Sequence, residues 1–109
     1  MGKFTIFKST ANSQFYFRLR ADNNEIILNS EGYVFKSSCK DGIESVKKNA
    51  PLDSKYEKSD KLANYTFNLK GNNGEIIGRS ESYKTSSGRD GGIADVKRLA
   101  PTATVDDIS

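Results

Sequence analysis

Phe15-Tyr16-Phe17-Arg18-Leu19-Arg20-Ala21-Asp22-Asn23-Asn24-Glu25-Ile26-Ile27-Leu28-Asn29-Ser30-Glu31-Gly32-Tyr33 lies on Tyr65-Thr66-Phe67-Asn68-Leu69-Lys70-Gly71-Asn72-Asn73-Gly74-Glu75-Ile76-Ile77-Gly78-Arg79-Ser80-Glu81-Ser82-Tyr83 at a constant offset of 50 residues, without a gap. A fixed internal period is the first property to test in a short chain, because it decides the architecture. The match continues through Gly42-Ile43, Val46-Lys47 and Ala50-Pro51 onto Gly92-Ile93, Val96-Lys97 and Ala100-Pro101. Upstream it thins, although Lys8-Ser9 still falls on Lys58-Ser59 and Ile6 on Tyr56. The chain is an internal duplication, with repeat one at about 4–53, repeat two at about 54–103 and a short tail at 104–109.

Each copy reads in the same way. Phe15, Phe17 and Leu19 alternate with Tyr16, Arg18 and Arg20, the period-two signature of a strand with one buried and one wet face. Tyr65, Phe67 and Leu69 repeat it. Asn73-Gly74 is a type I′ hairpin dipeptide, both of whose residues need φ > 0, and Asn23-Asn24 can serve the same turn. A second strand follows over 25–29 and 75–79. A two-residue loop would set Leu19 opposite Leu28, Arg18 opposite Asn29, Phe17 opposite Ser30 and Arg20 opposite Ile27.

After Tyr33 and Tyr83 comes a Ser-rich stretch, then Ile43, Val46 and Ala50, and likewise Ile93, Val96 and Ala100, spaced as one stripe of a helix. Ser38 or Asp41 is placed to cap the first helix, with Asp41 and Glu44 in a capping-box spacing, and Pro51 and Pro101 disfavour helical geometry just before them. Two to three turns are expected. Strands over about 4–9 and 55–59 precede the hairpins, and the tail after Pro101 has the place of a final strand. A fifty-residue unit has too small a core to stand alone, so two copies related by a pseudo-twofold are expected to share one. The expected fold is α+β: two tandem β-β-β-α(-β) repeats in one continuous, largely antiparallel sheet, with two short helices on one face, as a single domain over 1–109.

These elements resemble the YegP-like family, small bacterial proteins of unknown function. The resemblance covers essentially the whole chain. It rests on Ser30-Glu31-Gly32-Tyr33 with Gly42-Ile43-Glu44-Ser45-Val46, and on Ser80-Glu81-Ser82-Tyr83 with Gly92-Ile93-Ala94-Asp95-Val96. It implies a β-β-β-α-β unit, two of which join into one sheet with exchange of the strand after each helix. It implies no established activity. Gly32 for Ser82 and Asn24 for Gly74 are departures confined to turns.

Bulk composition sets the functional classes. With 109 residues, 35% hydrophobic and 28% charged, the chain suits one water-soluble body. No apolar run approaches the ~18 residues that span a bilayer, and the start at Met1–Lys8 is strand-like, so neither secretion nor a membrane partner is expected. The single Cys39 cannot close an internal disulfide, which fits a reducing, cytoplasmic setting. A net charge of +3 and a pI near 9.0 are mildly basic.

Histidine is absent, which removes the commonest metal ligand, the usual base near neutral pH and the Ser-His and Cys-His pairs together. No catalytic, cofactor or metal residues are assigned, and the chain is read as a non-enzyme without a cofactor. Cys39 is matched by Arg89 in the second copy, so a reactive thiol is not part of the repeat design. Gly88-Arg89-Asp90-Gly91-Gly92 looks like a phosphate cradle but lacks the Gly-Lys-Ser/Thr of a P-loop, and helix-entry backbone freedom is the better reading. Ser30, Glu31, Tyr33, Ser80, Glu81 and Tyr83 form a repeated polar motif. Its carboxylates suggest at most a weak acid-base site; backbone bonding by Ser and Glu, with Tyr packed over the core, explains it better.

The remaining candidate is a surface. Opposite the helices the sheet is expected to present Tyr16, Arg18, Arg20 and Ile27 from one hairpin and Thr66, Asn68, Lys70, Ile77 and Arg79 from the other. Such a face suits a protein partner or self-association, and with less support nucleic acid. The expected function is that of a binding or interaction module using this face or the repeat junction.

Overall fold

A computed structural model describes residues 2–109. Seven strands form one sheet in the order β4-β5-β6-β3-β2-β1-β7. They are β1 (Lys3–Lys8), β2 (Phe15–Arg20), β3 (Ile26–Asn29), β4 (Tyr56–Lys61), β5 (Asn64–Lys70), β6 (Ile76–Arg79) and β7 (Thr104–Asp107). Helices α1 (Lys36–Asn49) and α2 (Ser86–Leu99) cover one face. All pairings are antiparallel except β7 on β1, which is parallel. The tail therefore does form a strand. Because β4 follows α1 and β7 follows α2, the strand after each helix lies in the other repeat's half of the sheet.

The core is shared. Phe4, Ile6, Phe17, Leu19 and Leu28 from the first copy and Phe67 and Leu69 from the second lie beneath Ile43, Val46, Ile93 and Val96. α1 packs on β2 but also on β5 and β6, and α2 packs on β5 but also on β3. Each helix thus covers apolar surface of both copies, the outcome expected when neither unit buries enough alone.

The seam between the copies is the single pairing of Asn29 with Arg79 in β3 and β6. Here a pseudo-twofold brings equivalent positions face to face, so they cannot both be large. A Cβ at Gly78 would lie 2.6 Å from Cδ2 and 2.7 Å from Cγ of Leu28. Leucine in one copy fills the space left by glycine in the other.

Two local expectations are corrected. The hairpin loops hold three residues, with Ala21 N–H bonded to Glu25 O and Asn24 N–H to Ala21 O, and likewise Gly71 to Glu75 and Gly74 to Gly71. Within the β2–β3 and β5–β6 loops only Asn24 (φ 68°) and Gly74 (φ 80°) are left-handed, so each loop is a type I turn closed by a left-handed residue rather than type I′. Asn23 and Asn73 instead accept the Glu25 and Glu75 amides on their Oδ1 atoms, at 3.1 and 3.0 Å. The extra residue forces a bulge after Leu19 and after Leu69, which sets Arg20 opposite Ile26 and Lys70 opposite Ile76. Leu19–Leu28 and Arg18–Asn29 pair as expected.

The helices are also longer than the apolar stripe implied, 14 residues each. They begin after Phe35 and Thr85, so Ser38 and Asp41 lie inside α1 and cap nothing; Thr85 Oγ1 accepts the Gly88 N–H at 3.0 Å, while Phe35 has no side-chain cap. Serine and glycine are poor helix formers. Burial of Cys39, Gly42, Arg89 and Gly92 overrides that preference.

If the seam depends on one large and one small residue, Gly78→Ala destabilises the protein by about 1–3 kcal/mol. Adding Leu28→Ala should recover stability relative to the sum of the two single losses in a urea-melt double-mutant cycle. Additive losses would contradict this packing.

Candidate functional site

The repeated polar motif resolves into three jobs, those of the serine and the tyrosine being the same in both copies and that of the glutamate differing in its partner. Ser30 Oγ accepts the Phe17 N–H at 2.9 Å and donates to Glu31 O at 2.8 Å; Ser80 does the same with Phe67 and Glu81. Each serine thereby ties strand end to loop. Tyr33 and Tyr83 pair by backbone with Phe15 and Tyr65. Their rings slide beneath the helices, where a Cβ at Gly42 would lie 2.9 Å from Cζ of Tyr33 and one at Gly92 2.8 Å from Cζ of Tyr83. The Ser-Glu-x-Tyr and Gly-Ile-x-x-Val elements are therefore two halves of one lock. Burial pushes both phenols above their ordinary pKa, with nearby charges adding: Cys39, Glu31 and Glu75 for Tyr33, and Asp95, Glu81 and Glu25 for Tyr83.

The glutamates reach across the seam. Arg79 donates from Nε and Nη2 to Glu31 Oε1 at 2.9 and 2.7 Å, and Asn29 Nδ2 donates to Glu81 Oε2 at 2.9 Å. Each carboxylate is engaged by the residue that ends the other copy's third strand. This clamp was not anticipated, although the polar pair Asn29/Arg79 at matched positions was visible in the repeat.

The glycine-rich stretch 88–92 lies inside α2 rather than at its entrance. Gly92 admits Tyr83, while a Cβ at Gly91 would meet nothing within 4 Å. Arg89 is buried, donating to Asp90 Oδ1 at 3.0 Å and Ser59 O at 3.2 Å, and paired with Asp60. Hydrogen bonding to Asp60 comes first among the influences that hold its pKa up, against desolvation. Its counterpart Cys39 is buried, and desolvation, with Asp107 adding, pushes the thiol up to about 11. It is a protonated thiol at neutral pH.

On the sheet face away from the helices the structure brings together Tyr16, Arg18, Arg20, Asn68 and Lys70, which alternate with the buried Phe17, Leu19, Phe67 and Leu69, and Arg79, which pairs with Asn68. Ile27 and Ile77 are not there. The bulge turns them toward the helices, so Ile27 is buried in the core and Ile77 packs against it, and Ile26 and Ile76 take the outward places opposite Arg20 and Lys70. The face is also less basic than its sequence suggests. Lys70 pairs with Glu57 at 3.0 Å, Arg79 with Glu31, and Lys3 with Asp106 at 3.8 Å.

What distinguishes this face is its asymmetry. Phe7 stacks on Tyr16 with centroids 5.7 Å apart and planes 17° apart, and the Arg18 guanidinium sits 4.4 Å from the Phe7 centroid. Arg20 Nη1 donates to Asn24 O at 3.1 Å. The matched positions in the second copy are Glu57, Thr66, Asn68 and Lys70. A Cβ at Gly32 would crowd Gln14 Oε1 first and then Tyr16 Oη, at 2.9 Å, whereas the matched Ser82 donates its hydroxyl to Asn64, the counterpart of Gln14. Phe7 had not been singled out, although its alternation with Phe4 and Ile6 carries the signal. Among the described residues no group of His, Cys, Asp and Glu is placed to hold a metal ion.

The model of a family described as a domain of unknown function (DUF1508) matches residues 11–57 and again 60–107. The chain belongs to the DUF1508 family. Two solution structures superimpose on nearly all of it. The protein of unknown function YegP from E. coli gives a TM-score of 0.91 at 44% identity over 98% of this chain and 92% of its own. A UPF0339 protein of Shewanella oneidensis gives 0.89 at 42% identity, over 98% and 91%. A curated UPF0339 protein from Stutzerimonas stutzeri is 54% identical over 57 residues, 52% of this chain. That match spans only about half, 50%, of the relative's own length. One from Treponema denticola is 54% identical over 50 residues, which make up 84% of that protein, so it is little longer than a single repeat. These DUF1508 relatives are uncharacterised proteins, and the expected fold and family hold.

Two adjacent glycines of α2 test the lock. Gly92→Ala, which would strike Tyr83, should destabilise by about 1–3 kcal/mol. Gly91→Ala, with open space and better helix propensity, should stabilise by about 0.5–1 kcal/mol. Thermal melts giving both the same sign would refute this account of Tyr83.

Proposed function

We propose that this DUF1508 protein is a non-catalytic binding module that meets a protein partner through the first-repeat end of its open sheet face, at Phe7, Tyr16, Arg18 and Arg20. One observation carries the reading: the aromatic–guanidinium cluster occurs in one copy only, on the face opposite the shared core. Outside the seam, where Leu28 faces Gly78 and Asn29 faces Arg79, the strand, serine and tyrosine features of the fold recur in both copies. The cluster does not recur, its matched positions being Glu57, Thr66, Asn68 and Lys70. Aromatic rings and arginines are the side chains that dominate protein interfaces.

A protein suits the cluster better than nucleic acid. Phe7 already has Tyr16 on one side and a guanidinium over it, which leaves poor platforms for stacking bases. Lys3, Lys70 and Arg79 are committed to carboxylates on the same face, so few cations are left to follow a phosphate backbone. Arg18 and Arg20, held by a ring and a carbonyl, suit acidic residues of a partner. The non-enzymatic reading is supported by the engagement of Glu31 and Glu81 and by the raised pKa of Cys39. We place the protein in the cytoplasm, where a lone buried thiol needs no oxidising environment. No helix among the described residues is long and apolar enough to cross a membrane.

NMR shift mapping of the labelled protein against fractionated lysate and against oligonucleotides tests this reading. Shifts should gather on β1 and β2 around Phe7, Tyr16 and Arg18 with a protein fraction. Tyr16→Ala with Arg18→Glu should weaken the purified partner at least about tenfold, some 1.4 kcal/mol. Binding that follows oligonucleotides with a steep salt dependence, or shifts confined to the helices, would overturn it.

A further inference from the structure

The pseudo-twofold leaves one element without a counterpart. Beyond β1 lies β7, whereas the opposite end of the sheet stops at β4. The two edges differ in chemistry. β4 carries Glu57, Lys58 and Asp60, which pair with Lys70, Asp90 and Arg89, and its exposed side chains are those of a guarded edge. On β7 the charges are paired inward as well, Asp106 to Lys3 and Asp107 to Lys36 at 3.0 Å, but the strand also bears Val105, 45% exposed, and Ile108 just beyond it is 65% exposed.

Its backbone is half used. Thr104 N–H bonds to Gly2 O at 3.3 Å and Ile108 N–H to Ile6 O at 2.9 Å. By the alternation of a strand, the amides and carbonyls of Val105 and Asp107 point away from the sheet. Beside Val105, on the helical side, is a groove of about 310 Å³ walled by Ile43 and rimmed by Lys40, Asp41 and Glu44.

We infer that β7 is a self-association edge, through which two copies join as an antiparallel dimer centred on Val105. Register singles out that centre. A two-fold normal to the sheet keeps like faces together, so the pairing must centre on a residue rather than between two. Centring on Asp106 or Asp107 sets an aspartate directly against its own copy, which is destabilising. Centring on Thr104 leaves Asp106 and Asp107 opposite the tight turn Ala100–Thr102. Centring on Val105 pairs Thr104 with Asp106 and lets the two Val105 residues exchange both outward backbone bonds. Each Val105 side chain then closes the groove beside the other. The rim of that groove bears both signs of charge, as an interface that must complement itself requires.

This inference stands apart from the open-face reading. The two-fold leaves both open faces on one side, so it unites two Phe7–Tyr16–Arg18 corners in a single surface.

A Val105→Cys variant supplies the decisive test, because the native Cys39 is buried. Hydrogen-bonded antiparallel partners stand about 5.5 Å apart at Cα, within disulfide reach. Mild oxidation should cross-link Val105→Cys at least about tenfold faster than Leu62→Cys, whose site is 91% exposed at a hairpin tip. The unmodified chain should show a concentration-dependent dimer by sedimentation equilibrium. Val105→Pro, which removes an outward N–H and the valine side chain but no hydrogen bond to β1, should be monomeric with a native amide spectrum. A chain monomeric at every soluble concentration, with cross-linking no faster than at Leu62→Cys, overturns the inference and leaves the edge to a different chain. So does a dimer that persists in Val105→Pro while Val105→Cys cross-links no faster than the control.

Discussion

At the seam between β3 and β6 the two copies meet at the single pairing of Asn29 with Arg79, and every other part of the architecture is arranged around that meeting. A two-fold axis between identical units forces each residue on it to face itself. Two leucines at 28 and 78 would collide, and two arginines at 29 and 79 would repel. Covalent duplication removes that restriction. The chain places Leu28 over Gly78, and Asn29 beside Arg79, and each of the polar pair then takes the glutamate of the opposite copy. These exposed polar links add little energy individually. Their effect is to fix the relative position of two half-cores that are too small to persist apart.

Most of this was legible from the repeat. Alternation in Phe15–Arg20 and its copy specified strands and the buried face, and the stripe of Ile43, Val46 and Ala50 specified the helices. What escaped had two physical origins. One inserted loop residue decides the type of turn, and a bulge then turns Ile27 and Ile77 toward the helices; dipeptide preference at Asn73-Gly74 does not reveal that count. Helix starts were hidden because the Ser-rich and Gly-rich stretches before Ile43 and Ile93 have weak intrinsic propensity. They are helical because Tyr33 and Tyr83 pack against Gly42 and Gly92, a long-range contact with no local signature.

The candidate surface was legible in outline and wrong in emphasis. Arg18, Arg20, Lys70 and Arg79 suggested a basic face, yet Glu57, Glu31 and Asp106 neutralise much of it. The informative quantity is the difference between the copies. Tyr16 and Arg18 against Thr66 and Asn68 mark a place, outside the core and the seam, where the two copies differ. The edges diverge in the same manner: both pair their charges inward, but β7 also carries the exposed Val105, with exposed Ile108 just beyond it.

Native-state hydrogen exchange in graded urea tests the shared core most directly, because it reads the stability of each copy within the intact chain. The core amides of Phe17 and Leu19 in the first copy and Phe67 and Leu69 in the second should converge on one opening free energy with one urea dependence. If either set opened separately, at a lower free energy and with a smaller urea dependence, the two copies would be independent units and this account of the seam would be wrong.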